Sequence, residues 1–302
     1  MNVALQFQPI VSALRRHKII VTLLVLQTAV TYAIVCNATF LTARLVARIT
    51  VPSGLAENMV SIVRVDDTMA GAGALSLHEG DVAMLRRLPG VESAAIVSTV
   101  PFGYSEKTSL GCATFAEMQS AVATHSYMRQ GCTSPDVYTG GIDTIRTLGL
   151  QLVAGRMFKA TDFVTGAAGG LGDSSASVAI ITRAMAKRLY PADPSHVVGR
   201  ALYFGLSGYT GSPTRIVGVV QHLQRVFLSS GKPNDVSILL PVTPSGATVL
   251  FALRSLPRDR QQVLKEALAA FWCDISQNDQ FQQAMRLRTH VFVRLISSAT
   301  AV

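Results

Sequence analysis

An apolar run at residues 19–41, without a single charged side chain, constrains this chain more than any other feature of its sequence. At about 1.5 Å of rise per helical residue the run spans about 34 Å, which exceeds a bilayer hydrocarbon core of about 30 Å. It is too long for the apolar region of a signal peptide, and no clear small-x-small cleavage site follows it. The sequence therefore predicts an uncleaved transmembrane helix over 19–41, with a cleaved signal as the alternative.

The basic residues around this run predict its orientation. Arg15, Arg16 and Lys18 precede it with no acidic residue before them, whereas Arg44 and Arg48 follow it. The bias of Lys and Arg toward the cytoplasmic side favours a cytoplasmic N-terminus, and long domains cross the membrane largely regardless of charge. We therefore expect residues 1–18 in the cytoplasm and the bulk of the chain outside it.

The overall charge fits a membrane protein better than a nucleic-acid binder. The net charge is +9, from 27 basic and 18 acidic residues, and the chain is 49% hydrophobic and 15% charged. The basic residues are scattered, and their densest cluster, 286–294, is not part of a stripe interleaved with aromatic residues. The charge indicates contact with anionic lipid headgroups, and no nucleic-acid partner is expected.

Four cysteines bear on the compartment and on cross-linking. Cys36 lies in the apolar run, where a packing role is expected. The other three would face an oxidising space, where Cys112 and Cys132 could form a disulfide and leave Cys273 unpaired. The spacing does not settle that pairing. The absence of any C-x-x-C motif disfavours redox catalysis and a zinc ribbon.

The rest of the chain alternates between strand-like and helix-like patterns, which indicates an α+β fold. Strands are predicted at 59–65, 91–100, 126–132, 177–182, 197–205 and 214–223. Helices are predicted at 75–88, 141–152, 183–191, 257–272 and 280–302. Segments 236–241 and 248–254 are predicted to pair as two strands around a Thr-Pro-Ser-Gly turn.

Motifs of catalysis and metal binding are incomplete. His78-Glu79 begins like a zinc-protease motif, but no second histidine follows at the required spacing. Ser207 misses the G-x-S-x-G nucleophile elbow by one position. Asp66 and Asp67 are adjacent on a predicted strand end, so their side chains point to opposite faces. The sequence therefore predicts no enzyme, no metal site and no cofactor.

Four segments, taken in their order along the chain, carry a family resemblance: 142–162, 178–191, 197–204 and 214–223. With the preceding apolar helix, this succession resembles the periplasmic core domain of MacB-type and FtsX-like ABC transporter permeases, over roughly residues 5–295. The physical roles of individual residues in these segments agree with that placement. The resemblance therefore implies a fold and not an active site.

Six residues of these segments are expected to have structural roles. Gly155 allows a backbone turn, Phe158 is a buried anchor, and Arg156 and Asp162 tie the turn by charge-assisted hydrogen bonds. Gly199 is predicted to serve a second turn, and Gly218 to let two strands approach closely.

The resemblance also implies a domain organisation: one N-terminal transmembrane helix followed by a two-lobed mixed α/β extracytoplasmic domain. The first lobe would combine 55–135 with 236–275, and the second would be the inserted segment 136–235. Residues 276–302 are expected to form a stalk helix leading to a second transmembrane helix. That helix and two further ones are missing from the sequence, so we expect a truncated or split permease.

The function that the resemblance implies is mechanical. Such permeases are dimers whose separate cytoplasmic ATPase drives motion of the periplasmic lobes, for export of peptides, antibiotics or lipoproteins or for control of cell-wall hydrolases. The expected partners are a cytoplasmic ABC ATPase, a second permease in a homodimer or heterodimer, and the lipids of a bacterial inner membrane. The alternative is a membrane-tethered periplasmic sensor or binding module, although 18 cytoplasmic residues leave little room for an output domain.

Overall fold

The structure is a computed structural model of the 302-residue chain. It describes residues 17–49, 51–66, 72–103, 107–127, 130–164, 176–205, 213–227, 235–246, 248–277 and 290–295. The chain forms two compact units: Met1–Val51 with Ala301–Val302, and Pro52–Thr300, which we call the body.

The helices and strands are α1 (Lys18–Ile49), β1 (Val60–Asp66), α2 (Ala72–Leu85), β2 (Val91–Val97), β3 (Gly111–Cys112), α3 (Phe115–Ala123), β4 (Cys132–Thr133), β5 (Asp136–Thr139), α4 (Thr144–Leu148), β6 (Leu152–Gly155), β7 (Val178–Thr182), α5 (Arg183–Leu189), β8 (Ala201–Phe204), β9 (Thr214–Val220), β10 (Ser237–Leu240), β11 (Thr248–Ser255), α6 (Arg260–Gln277) and β12 (His290–Leu295). A single turn of 3₁₀-helix, Ala160–Asp162, lies between β6 and β7. Sequence reasoning located most of these elements.

The main element in the described part of the first unit is α1, which contains the predicted span 19–41. By length and composition α1 is able to cross a membrane. Its threonines satisfy their own hydroxyls: Thr22, Thr31 and Thr42 each donate to the carbonyl oxygen four residues earlier, at 2.8 Å. A helix that satisfies its polar groups internally is compatible with a hydrocarbon environment. The predicted cytoplasmic residues 1–16 lie outside the described part of the chain.

The smaller sheet of the body has the strand order β12-β1-β11-β2, and every neighbouring pair is antiparallel. Helices α2 and α6 cover one face of it. Leu85 from α2 and Phe271 from α6 pack there with Val63, Val65 and Phe251 from the strands, and all five side chains are buried. The other face of the sheet belongs to a core that both sheets share.

The larger sheet has the order β4-β3-β8-β9-β7-β10-β5, and β6 also pairs with β9. The β7–β9 and β5–β10 pairs are parallel. Helix α5 covers one face, where Met185 and Leu189 pack against Ile181, Leu202 and Ile216. The remaining pairs of this sheet are antiparallel, so the sheet is mixed, as expected for an α+β fold.

Main-chain hydrogen bonds join the two sheets. Ser98 N–H donates to the Thr139 carbonyl and Gly141 N–H to the Ile96 carbonyl, each at 2.9 Å. One buried cluster includes Ile62 from the smaller sheet and Ile180 from the larger one. Because they share this core and these bonds, the two sheets form one compact unit.

Two sequence predictions are wrong. The 236–241 and 248–254 segments do not pair, since β10 lies between β5 and β7 and β11 lies between β1 and β2. The stalk helix over 276–302 is wrong for 290–295, which form β12 beside β1, while α6 ends at Gln277. The alternating sequence His-Val-Phe-Val-Arg-Leu has the two-residue period of a strand, so the helical assignment used the wrong period.

Several elements are shorter than predicted, and the division of the body into two lobes stays a prediction. Among the described residues of the segment 126–132, only Cys132 lies in a strand, at the start of β4. Only Thr144–Leu148 of the 141–152 segment are helical. The predicted first-lobe segment 55–135 contributes strands to both sheets, because β1 and β2 lie in the smaller sheet and β3 and β4 in the larger.

Candidate functional site

The connecting segment, Pro52–Glu57, joins α1 to β1 in the sequence and lies within the body. Ser53 is completely buried, and its carbonyl oxygen accepts a hydrogen bond from Gln224 N–H at 2.9 Å. Ala56 N–H donates to the carbonyl oxygen of Leu148, the last residue of α4, at 2.9 Å. We call the meeting of this segment with α4 and with the strap, residues 221–227, the junction.

A local turn holds the connecting segment in shape. Ser53 Oγ donates to Glu57 Oε1 at 2.5 Å and accepts from Leu55 N–H at 3.2 Å. Such serine-centred turns fix the backbone over a few residues without secondary structure. The segment therefore meets the strap and α4 in one defined conformation.

Two glycines make this close contact possible. Gly54 has φ +85°, and a Cβ there would overlap the carbonyl oxygen of His222. Gly149, directly after α4, has φ +70°, and its Cβ would lie 2.5 Å from the Cβ of Ala56. Side chains at both positions would therefore combine an unfavourable left-handed backbone with overlap against neighbouring chain.

A buried ion pair fixes the strap to the larger sheet. Arg225 and Asp136 are 1% and 0% exposed, and Arg225 Nη2 lies 2.5 Å from Asp136 Oδ1. Asp136 Oδ2 also accepts from Val226 N–H at 2.8 Å, and Tyr138 Oη donates to the Gln224 carbonyl at 2.6 Å. Because β5 carries both Asp136 and Tyr138, the strap is bound directly to that strand.

Helix α4, which makes the second contact of the junction, is bound to the smaller sheet. Thr147 Oγ1 hydrogen-bonds Ser93 Oγ of β2 at 3.1 Å, and both side chains are buried. Asp143, which precedes α4, pairs with Arg86 at 2.6 Å. The connecting segment therefore contacts one element bound to each sheet.

Arg156 and Asp162 close a compact turn that follows Gly155. Arg156 Nη1 and Nη2 reach the two carboxylate oxygens of Asp162 at 2.6 and 3.1 Å, and Lys159 N–H donates to Asp162 Oδ2 at 2.8 Å. The Arg156 hydrogen bond lowers the pKa of Asp162 below its ordinary value, against the opposing effect of burial. Phe158 is buried and packs edge-on against Phe163.

The structure brings Gly155 and Gly218 together but places Gly199 elsewhere. Gly155 has φ +78° and lies opposite Gly218 in the β6–β9 pair. A Cβ on Gly218 would lie 2.6 Å from the Arg156 carbonyl oxygen, so glycine is required for this close approach. Gly199 has φ +90° in the turn before β8. Each of these placements is architectural.

Cys112 and Cys132 are joined by a disulfide between β3 and β4. Both cysteines are buried in a cluster with Leu110, Met118 and Ala121. Because Met118 and Ala121 belong to α3, this cluster packs α3 against the edge of the larger sheet. The free thiol of Cys36 lies on the exposed surface of α1.

Ser207 and Asp67 lie outside the described residues, and two histidine–aspartate contacts within those residues bear on catalysis and metal binding. Within the described residues, no group of three or more His, Cys, Asp or Glu side chains is arranged to hold a metal ion. His78 is fully buried, with Nδ1 3.8 Å from Asp81 Oδ2. His196 Nδ1 faces both Asp193 Oδ1 at 2.8 Å and Ser195 Oγ at 3.4 Å. A relay needs the acid and the nucleophile on opposite ring nitrogens, so these three side chains do not form one.

Sequence reasoning missed the junction. The hydrogen bonds that Ser53, Ala56 and Gln224 make there involve main-chain groups. The residue types in the sequence therefore give no indication of them. The junction's one visible signal in the sequence is Gly54, since glycine tolerates a left-handed backbone that other residues avoid.

Replacing Arg156 with methionine will make folding stability less sensitive to acid. The lowered pKa of Asp162 means that the pair stabilises the fold above the ordinary carboxyl range and loses this contribution as pH falls through the folded-state pKa. Because Arg156 is 38% exposed, we expect a contribution of only about 1 kcal/mol. Urea unfolding at pH 7 and pH 2 should show a smaller acid-induced loss in Arg156→Met than in the wild type. Asp162→Asn should behave in the same way, and equal losses in all three would contradict the prediction.

Comparisons with known proteins place these features in a family context. The family model described as the MacB-like periplasmic core domain matches residues 27–300. The solved periplasmic region of MacB from Actinobacillus actinomycetemcomitans is 11% identical, with 82% of this chain and 94% of that chain covered and a TM-score of 0.42. The extracellular domain of a noncanonic ABC-type transporter, YknZ, from Gram-positive bacteria is 15% identical, with 68% and 90% covered and a TM-score of 0.38. A search of curated proteins found no match.

Proposed function

Because the chain belongs to the MacB-like periplasmic core domain family of ABC transporter permeases, we propose that it relays force from a separate cytoplasmic ATPase to the periplasm for export. In this proposal α1 is a transmembrane helix in the bacterial inner membrane, with the N-terminus in the cytoplasm and the body in the periplasm. A second permease, identical or related, completes the transporter, and membrane lipids surround α1.

The junction is the observation that carries the proposal. A force relay needs a firm attachment of the segment at which the chain enters the body, because a flexible segment there would dissipate the displacement. The connecting segment is instead tied by Ser53 to the strap and by Ala56 to α4. These two elements are bound to the larger and the smaller sheet respectively, so motion arriving at Pro52 would reach both.

The test begins with recovery of the ATPase. The full chain, tagged and cross-linked in its native membranes, is expected to recover an ABC ATPase together with a second permease chain. After reconstitution in lipid vesicles, hydrogen exchange at the amides of Ala56 and Gln224 is measured with and without ATP. We expect ATP to change exchange at both amides, because they form the two hydrogen bonds of the junction.

The matched control uses the same complex with the phosphate-binding lysine of the ATPase replaced. This variant should abolish the ATP response while leaving the resting exchange rates unchanged. Recovery without any ATPase, or exchange at the junction that ATP leaves unaltered, would favour the membrane-tethered sensor instead. Digestion of the body by protease added to intact spheroplasts would establish its periplasmic side, and resistance to it would exclude the proposed orientation.

A further inference from the structure

A histidine–aspartate contact lies beside the junction and has no role in the fold described so far. His222 Nδ1 lies 2.7 Å from Asp235 Oδ2, and the two side chains are 55% and 23% exposed. The other carboxylate oxygen of Asp235 accepts from Leu223 N–H at 2.8 Å. One carboxylate therefore holds both a side chain and a main-chain amide of the strap.

Asp235 is itself fixed to the rigid part of the body. Its carbonyl oxygen accepts from Thr182 Oγ1 at 2.8 Å, and the same hydroxyl accepts from Ser237 N–H at 3.3 Å. Thr182 ends β7 and Ser237 begins β10, which are neighbours in the larger sheet. The carboxylate is thus a fixed point against which the strap is held.

The contact is close to the connecting segment. The carbonyl of His222 faces Gly54, and Gln224, two residues further along the strap, donates to Ser53. A tighter hold on His222 and Leu223 would therefore restrict the residue that bonds the connecting segment.

Among the described residues, Asp235 is the charged group that contacts His222. Two other charged side chains, from α5 and from the connecting segment, have different partners. From α5, Arg183 reaches Gln221 Oε1 at 3.4 Å. From the connecting segment, Glu57 is engaged by Ser53. Histidine is the side chain that gains a proton between about pH 8 and pH 5, and a hydrogen bond between two charged groups is stronger than one with a neutral donor.

We propose that His222 and Asp235 form a pH-sensitive clamp, which holds the strap more firmly on the larger sheet when His222 is protonated. Acidification of the surrounding space would stiffen the junction, and alkaline conditions would loosen it. This consequence for force relay rests on the proposed function, whereas the clamp itself does not.

The clamp also has an acid limit. Burial raises the pKa of Asp235 above its ordinary value, outweighing its hydrogen bonds from Leu223 and His222. The carboxylate therefore takes up a proton at a higher pH than an exposed aspartate, and below that point the charge-assisted bond is lost. The strongest hold is expected on the mildly acidic side of neutrality.

The experiment measures amide hydrogen exchange of Leu223 and Gln224 in the full chain in detergent micelles, at pH 8 and pH 6. Protection factors are corrected for the intrinsic pH dependence of exchange. For a partly exposed pair we expect protection about twofold to fivefold higher at pH 6 in the wild type, and no gain in His222→Gln. The matched control is His196→Gln, since His196 also contacts an aspartate, Asp193, at 2.8 Å but belongs to the segment between α5 and β8 and not to the strap. This control should keep the wild-type gain.

Asp235→Asn provides a second variant, because asparagine keeps an oxygen acceptor for Leu223 N–H while removing the charge. It should also lose the pH-dependent gain. A wild type without the gain, or a gain that persists in His222→Gln and Asp235→Asn, would overturn the clamp. These outcomes are independent of ATP, so they are distinguishable from failure of the force-relay proposal.

Discussion

Replacing Asp136 with asparagine will lower the free energy of unfolding by about 3–5 kcal/mol, the usual loss when one partner of a buried ion pair is removed. Arg225, which is 1% exposed, would keep its charge in the core without the carboxylate that neutralises it. Asparagine has nearly the same shape, so the loss reflects charge and not volume. Urea unfolding of the full chain, followed by fluorescence of its single tryptophan, measures the change.

Asp143→Asn is the matched control. Its ion pair with Arg86 is just as short, at 2.6 Å, but the two side chains are 36% and 41% exposed. Exposed pairs contribute about 0–1 kcal/mol, so this variant should unfold nearly like the wild type. Replacing both Asp136 and Arg225 by uncharged residues should recover part of the loss, because no lone charge then stays buried. Similar losses in Asp136→Asn and Asp143→Asn would contradict the role assigned to burial.

The turn around Gly155 shows which parts of the site the sequence was able to predict. Gly155, Arg156 and Asp162 lie within eight consecutive residues, and their chemistry requires a turn closed by a bidentate charge pair. Helix α1 was predictable for the same reason: its length and the lack of charge in residues 19–41 are properties of one continuous segment. Local features of this kind depend on residue type alone.

Features that depend on distant partners were not predictable. Asp136 and Arg225 are far apart in sequence, and neither residue type indicates that it is buried. Segments β10 and β11 read as neighbouring strands because their local patterns are alike, but hydrophobic alternation does not specify which strand is the partner. The hydrogen bond from Gln224 to Ser53 uses main-chain groups that every residue type except proline offers in the same form.

The junction therefore has to be tested through the backbone, and Gly54→Ala is the variant that does so most directly. The added Cβ would overlap the His222 carbonyl oxygen, and alanine would have to adopt φ +85°. The backbone conformation costs about 1–3 kcal/mol and the overlap about another 1–3 kcal/mol. Because Arg225 fixes the strap to β5, we expect the overlap to displace the connecting segment and not the strap.

Hydrogen exchange and urea unfolding separate the two consequences of this change. Amide exchange at Gln224 and Ala56 should rise sharply in Gly54→Ala. The displaced segment contains both the carbonyl that accepts from Gln224 N–H and the N–H of Ala56 itself. The control is Gly80→Ala on α2, where an added Cβ meets no atom within 4 Å. There alanine should raise the stability of the chain by up to about 1 kcal/mol through helix propensity. If Gly54→Ala left both exchange rates and stability at wild-type values, the connecting segment would not be held as the junction requires, and the force-relay proposal would lose the observation that supports it.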